Sequence, residues 1–204
     1  MKEAPEAELP EKHNDPFRSR CAMLVSVLAM VLAIAGLGGS NAAKESTLNN
    51  ILAANAYAFY QAKNIRQTEY KIAADNLQLQ LAQDKLTPKA KELAEKKLAD
   101  YQKNIARYES EPETGEGKKE LMAKAKQLEH ERNHALAQDP WFDYAEALLQ
   151  IAIVLTSVAI LTGVHALFWI PSGLGILGIL STINGFMLIV WFNANPKMGA
   201  VRPL

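Results

Sequence analysis

Two histidines four positions apart come closest to a catalytic motif in this 204-residue chain. His130, Glu131 and His134 lie in the run His-Glu-Arg-Asn-His, which has the form of the zinc-protease motif. In that motif two imidazoles bind the metal and the glutamate acts as a base. The surrounding segment is highly charged and rich in alanine, and neither His13 nor His165 is placed to supply a third ligand. We therefore interpret the pair as part of an exposed helix face, and we predict that the chain is not an enzyme.

An acidic segment, residues 109–117, is the second candidate for chemistry. Its sequence, Glu-Ser-Glu-Pro-Glu-Thr-Gly-Glu-Gly, predicts a loop. Calcium and magnesium take several carboxylate oxygens on a flexible backbone. However, the spacing matches no calcium loop, and the positive end of the following helix already accounts for acidic residues at this place. We expect no metal and no cofactor, while cation binding by this loop stays an open alternative.

Charge and cysteine content restrict the other classes of function. Lys plus Arg and Asp plus Glu are both 22, so the chain carries no general basic field of the kind that attracts nucleic acid. We expect no nucleic-acid partner. Cys21 is the only cysteine, which excludes an intrachain disulfide and disfavours a thiolate metal site.

Long uncharged segments predict a membrane protein with three transmembrane helices. Residues 147–192 contain no Lys, Arg, Asp or Glu, and we predict spans at 140–170 and 174–193, folded at Ile170-Pro171-Ser172-Gly173. Another uncharged run predicts the first span, 21–40. A signal peptide is the alternative for that run, but the preceding segment is long and acidic. Residues 1–20 and 194–204 are predicted to be tails, the first of them disordered.

Small residues and flanking charges indicate how these spans are arranged. Glycines let membrane helices approach each other closely, and we expect four of them to pack between helices, either within the chain or between subunits. They are Gly163, Gly175, Gly178 and Gly185. Arg18 and Arg20 directly precede the first span and favour a cytoplasmic N-terminus, although Lys197 and Arg202 favour the opposite orientation.

Residues 41–139 are rich in Ala, Lys, Glu, Gln and Leu, which is typical of long helices. We predict helices at about 42–84, 88–109 and 117–138, with Thr87 and Pro88 beginning the second. A seven-residue repeat in the first helix is typical of a helix that packs along another helix. This heptad stripe comprises Ile51, Ala58, Ile65, Ile72, Leu79 and Leu86, and Leu48, Leu52, Phe59 and Ala62 widen it. The predicted fold is all-α, with a long extramembrane antiparallel helical hairpin or coiled coil between the first and second spans.

Two segments resemble a bacterial membrane-protein family catalogued as domain of unknown function 4337. They are Tyr57-Ala58-Phe59-Tyr60-Gln61-Ala62-Lys63-Asn64-Ile65-Arg66 and the stretch 107–121, Arg-Tyr-Glu-Ser-Glu-Pro-Glu-Thr-Gly-Glu-Gly-Lys-Lys-Glu-Leu. The resemblance covers roughly residues 21–192. It implies the same order of one span, a long helical insert and two closing spans, in a bacterial inner membrane. It implies no catalytic residue.

A hairpin that turns near Lys85 brings residues at equal distances from the turn together. We therefore predict contact between the aromatic segment and the acidic loop, or simple packing of the hairpin as the alternative. The candidate interaction residues are Tyr57, Phe59, Tyr60, Lys63, Arg66, Tyr108, Glu109, Glu111 and Glu113.

These observations favour an interaction protein. We expect a structural or accessory subunit in the lipid bilayer, acting as a homo-oligomer or as part of a larger membrane complex. The alternative is a component of an oligomeric channel, transporter or membrane sensor.

Overall fold

The computed structural model describes residues 15–83 and 86–188, and 91% of the structure is helical, with no β-strand in those ranges. The elements are α1 (Pro16–Ala82), α2 (Pro88–Glu109), α3 (Lys118–Thr162), a short 3₁₀ helix (His165–Phe168) and α4 (Trp169–Met187). The chain divides into two compact units, to both of which α1 and α3 contribute. We call residues 1–42 and 137–204 the apolar unit and residues 43–136 the polar unit.

Within residues 15–83 and 86–188, three helical segments are long and apolar enough to cross a membrane: α1, α3 and the segment His165–Met187. Each contains an uncharged or nearly uncharged window of 18 residues. The predicted C-terminal tail, 194–204, lies outside the described residues, as do residues 1–14 and the last part of the third predicted span, 189–193.

Helix α1 begins earlier than predicted. The Asp15 side chain accepts a hydrogen bond from the Phe17 amide at 3.0 Å, and the Asp15 carbonyl accepts one from the Ser19 amide at 3.1 Å. Pro16 takes the first helical position, where its missing N–H costs nothing. The prediction of a disordered tail over residues 1–20 is therefore wrong for residues 16–20.

Helix α3 passes through Pro140 without a break. The sequence predicted a boundary between a helix at 117–138 and a span beginning at 140, and this boundary is wrong. A proline inside a helix removes one backbone hydrogen bond. Phe142 and Ala145, which follow it, are almost completely buried, so tertiary packing maintains the helix across the proline.

The turn between the last two predicted spans lies earlier than predicted. Helix α3 ends at Thr162, and Gly163 adopts a left-handed conformation with φ of 68°. Pro171 lies in the first turn of α4, where it needs no hydrogen-bond partner, so the predicted fold at 170–173 is wrong. Gly163 does not have the predicted packing role within the chain, because a Cβ added there would meet nothing within 4 Å. Gly163 allows the chain to turn.

The other three predicted glycines do lie against neighbouring side chains. A Cβ on Gly175 would approach Leu28 Cδ2 at 2.6 Å, and one on Gly178 would approach Leu149 Cγ at 2.7 Å. Gly185 lies against the Phe142 ring. These glycines therefore allow α4 to pack closely against α1 and α3.

Phe142 occupies the centre of this packing. Its ring also contacts Gly38 of α1 and lies edge-on to Phe186 of α4, with ring centroids 4.9 Å apart. Nearby, the Ser181 hydroxyl donates a hydrogen bond to the Trp141 carbonyl at 2.7 Å. One aromatic side chain thus joins three helices of the apolar unit.

We expect Gly178→Leu to destabilise the apolar unit by about 2 kcal/mol or more, because the new side chain overlaps Leu149. Gly173→Ala is the matched control, since a Cβ at Gly173 meets nothing within 4 Å. Its effect should be neutral or slightly stabilising. Thermal unfolding in mild detergent, followed by circular dichroism, measures both. Equal unfolding midpoints for the two variants would contradict the packing role of Gly178.

Candidate functional site

In the polar unit, α1 runs antiparallel to both α2 and α3. Arg132 of α3 donates a hydrogen bond to the Asn50 side chain at 3.1 Å, and Gln67 donates one to the Ile105 carbonyl of α2 at 2.9 Å. Residue numbers therefore fall along α2 and α3 as they rise along α1. The polar unit is a helical hairpin whose returning arm is interrupted by the loop 110–117.

The face of α1 that meets α2 and α3 is not the heptad stripe. Small and polar residues form the buried face: Asn49, Ala53, Ala56, Gln67 and Ala74. Members of the heptad stripe are exposed, with 59% of Ile65 and 56% of Ile72 accessible. Small side chains let the helices approach closely, and the polar side chains there form hydrogen bonds across the contact. Among the residues that the structure describes, no other helix of the chain packs along the stripe.

Gln67 is the centre of the polar contacts. Only 2% of this residue is exposed. Its Nε2 donates hydrogen bonds to the Ile105 carbonyl and to Glu109 Oε2, each at 2.9 Å, and its Oε1 accepts one from Lys118 Nζ at 2.9 Å. Lys118 Nζ also lies 3.4 Å from Glu109 Oε2. We call these four residues the Gln67 network, which joins α1, α2 and the start of α3.

Glu120 attaches the acidic loop to the first turn of α3. Its carboxylate accepts a hydrogen bond from the Ser110 hydroxyl at 2.6 Å and one from the Glu111 amide at 3.2 Å. Gly117 packs against the same groups, and a Cβ there would collide with them. Glu120 therefore holds the beginning of the loop, at Ser110 and Glu111, against the first turn of α3.

Aromatic and cationic side chains surround the Gln67 network. The buried Tyr108 ring lies 5.8 Å from the Tyr70 ring, and Lys63 Nζ lies 5.5 Å from its centroid. Lys63 also forms a salt bridge with Glu116 of the loop at 3.2 Å. Lys118 Nζ lies 5.7 Å from the Tyr60 centroid. Cation–π contacts of this length stabilise by about 0.5–1 kcal/mol at exposed sites.

The structure brings four predicted interaction residues into this region: Tyr60, Lys63, Tyr108 and Glu109. Glu111 takes part through its backbone amide. Tyr57 lies elsewhere along the hairpin, where its hydroxyl donates a hydrogen bond to Glu129 at 3.0 Å.

Three other predicted residues lie outside these contacts. Phe59 is 62% exposed, and Glu113 lies exposed on the loop. Arg66 lines an open groove of about 450 Å³. The other residues lining the groove are Glu69, Tyr70, Ala73, Tyr101 and Tyr108.

Sequence reasoning missed Gln67, Lys118 and Glu120. A signal for Gln67 was present, because Gln67 and Ile105 are equally distant from residue 86, which lies in the turn. No comparable signal exists for Lys118 and Glu120, because their role depends on the conformation of the loop before α3.

The hydrogen bonds change the acidity of two carboxylates and one phenol. The hydrogen bond from Gln67, together with the charge of Lys118, lowers the pKa of Glu109. The hydrogen bond from Ser110 lowers the pKa of Glu120. The hydrogen bond to Glu129 raises the pKa of Tyr57. These shifts follow from partners that favour the ionised carboxylate or the neutral phenol.

His130 and His134 lie on exposed positions of α3. Glu131 accepts a hydrogen bond from Gln127 at 3.0 Å, within the same helix. In the part of the chain that the structure describes, no group of three or more His, Cys, Asp or Glu residues could hold a metal ion. The polar side chains of the Gln67 network pair with one another, and their arrangement joins helices.

Comparison with known proteins returned one family. The family model described as "Domain of unknown function (DUF4337)" matches residues 17–188. No curated protein and no solved structure matches the chain.

We expect Gln67→Ala to lower the stability of the polar unit by about 2–3 kcal/mol, because Glu109, Lys118 and the Ile105 carbonyl each lose a partner. Gln61→Ala, at an exposed position of the same helix, is the control and should change stability by less than about 0.5 kcal/mol. Thermal unfolding of the full chain in detergent checks both. A Gln67→Ala midpoint equal to that of Gln61→Ala would contradict the central role of Gln67.

Acid should weaken the same contacts. The pKa values of Glu109 and Glu120 are lowered in the folded chain. Both carboxylates therefore stabilise the fold at pH values above the ordinary glutamate pKa of about 4.3. This stabilisation is lost as the pH falls through the lowered pKa values. The unfolding midpoint of the native chain should therefore fall between pH 6 and about pH 3. The double variant Glu109→Gln, Glu120→Gln should show a smaller fall over the same range. Identical pH profiles would refute the assignment.

Proposed function

The chain belongs to the DUF4337 family, and from that premise we propose that it is a non-enzymatic membrane subunit that acts by associating with other protein chains. The associating chain is a further copy of itself or a component of a larger membrane complex. The observation that carries this proposal is the exposed aliphatic surface of α1 in the polar unit.

Several aliphatic side chains of this surface are more than half exposed. Ile51 is 53% exposed and Leu79 is 63% exposed, and Ile65 and Ile72 lie between them on the same side of the helix. Several exposed aliphatic side chains aligned on one side of a helix favour an interaction site there. Isoleucine and leucine at this spacing contribute favourable free energy when another helix covers them.

Residues 57–66 and 107–121 are the two segments that resemble the family. The contacts made by these segments and by the adjacent Gln67 support a structural role for them. Gln67 and Glu120 use their hydrogen-bonding capacity to join α1, α2, the loop and α3. Lys63 is held by Glu116, and Tyr108 is buried. Groups that are paired in this way stabilise the hairpin, and the hairpin presents the exposed face of α1.

The plasma membrane of a bacterium is the proposed location, with the chain crossing it three times. Its support is the three apolar helices and the family resemblance. We place the N-terminus in the cytoplasm, because Arg18 and Arg20 precede the first apolar window.

A channel, transporter or sensor component remains the second candidate. The hydroxyl groups buried among the spans do not favour it. Thr156 and Thr182 each donate a hydrogen bond to the carbonyl four residues earlier, and Ser181 donates one to Trp141. Such bonds are ordinary in packed membrane helices.

The mass of the protein purified in mild detergent from its native membrane tests the proposal. We expect a complex heavier than the single 22.5 kDa chain, made either of several copies of this chain or of this chain with other proteins. A single chain without a partner, at the concentration found in the membrane, would contradict the proposal. A large ring of identical chains with measurable ion conductance would favour the channel candidate instead.

A further inference from the structure

We propose that the heptad stripe of α1 is the seam of a parallel, in-register coiled coil between two copies of this chain. The inference rests on the proposed function, since it specifies the surface and the geometry of self-association. It concerns residues 48–79, all within the polar unit.

A coiled-coil register places the heptad stripe at d positions, with three polar residues that are not stripe members, Asn55, Glu69 and Asn76, at a positions between them. In heptad notation, the d positions are Ile51, Ala58, Ile65, Ile72 and Leu79, and the a positions are Leu48, Asn55, Ala62, Glu69 and Asn76. All ten residues are exposed in the single chain. A strict seven-residue period drifts by about 20° per heptad on a straight α-helix, so it is maintained where two helices supercoil around each other.

The contacts within the chain leave the aliphatic residues of this seam exposed, while Glu69 also lines the groove beside α2. The buried residues Ala53, Gln67 and Ala74 occupy f positions, and Asn49 and Ala56 occupy b positions. These positions lie on the opposite side of the helix from a and d. Helix α1 can therefore pack on α2 and α3 with one face and on a second copy with the other.

Membrane insertion supplies the orientation and the register. Two copies inserted the same way in one bilayer carry α1 in the same direction, and the apolar window of each begins at the same residue. Equivalent residues of the two α1 helices then lie side by side. A shared bilayer and an identical sequence therefore favour a second copy over an unrelated helix, whose register nothing in the chain would determine.

Two asparagines in the seam fit this arrangement. Asn55 and Asn76 are three heptads apart, and in a parallel in-register pair each meets its own counterpart. A primary amide donates and accepts hydrogen bonds, so two identical amides can satisfy each other. In an antiparallel pair, an a position faces a d position, and each amide would face an aliphatic side chain. Asparagine at a positions is a known determinant of register and of dimer formation.

The one charged position of the seam has a nearby compensating charge. Glu69 is an a residue, and Arg66 lies one turn earlier on an exposed position at the edge of the stripe. A pair of copies brings two carboxylates and two guanidinium groups together. The charges at these a and e positions balance, and the exposed Asp75 at a g position adds one negative charge to each copy.

Disulfide cross-linking of the full chain in liposomes tests the geometry. In a Cys21→Ala background, which removes the native thiol, single cysteines are introduced as Ile65→Cys or Ile72→Cys, with Lys71→Cys as the exposed control on another side of the helix. Under mild oxidation we expect dimers from the two seam variants at a rate at least about tenfold above the control. Equal rates for Ile72→Cys and Lys71→Cys would overturn the proposal. Preferential cross-linking of a mixture of Ile51→Cys and Leu79→Cys chains would also overturn it, because it indicates an antiparallel pair.

A second pair of variants measures the energy of the contact. Ile65→Glu with Ile72→Glu should weaken self-association more than about tenfold, because each isoleucine buries aliphatic surface in the seam. Lys71→Glu should leave self-association unchanged. Circular dichroism checks that both variants keep the helical content of the native chain.

The results separate this inference from the proposed function. If the native chain is multimeric by mass but the seam variants neither cross-link nor dissociate, the coiled coil is wrong and self-association through another surface stands. If the native chain is a monomer without partners, both the coiled coil and the proposed function are wrong. Cross-linking at both seam positions, together with dissociation of the glutamate variant, supports the coiled coil and the proposed function.

Discussion

The unbroken helical backbone of α1 is the constraint on which the other contacts depend. Because 67 consecutive residues share one helix, Pro16–Ala82, the position of each side chain around the helix is determined by its distance along the chain. In the polar unit this constraint separates small and polar residues on one face from aliphatic residues on the other. The first face meets α2 and α3, and the second is left exposed.

The two units achieve close packing by different physical means. In the apolar unit, glycines on α1 and α4 accommodate Phe142 by van der Waals packing, and the buried hydroxyls of Thr156, Ser181 and Thr182 bond to backbone carbonyls. In the polar unit, Gln67 is buried and bonded to groups of two other helices. A buried amide with several partners costs stability when any of them is lost, and it therefore selects one alignment of the helices.

Several local features were predictable from the residues. The sequence predicted a helix at 88–109 and the structure has α2 at Pro88–Glu109, where the Thr87 side chain accepts a hydrogen bond from the Ala90 amide at 3.4 Å. Caps and apolar windows are local, so residues within one or two turns suffice to recognise them. The turn at Gly163 was missed because Pro171 also suits a turn, and only the packing of α4 distinguishes a proline in the first turn of a helix from one in a loop.

The sequence alone determined the helical class, the three apolar segments and the seven-residue period, because each depends on the order of neighbouring residues. It also contained the aromatic segment and the acidic loop. Only the tertiary structure decided which face of α1 packs against its own chain, and that Gln67 and Glu120 organise the contacts. Both faces of α1 have a helical period, and the choice between them depends on side chains of α2 and α3 that are distant in sequence and become neighbours only in the folded hairpin.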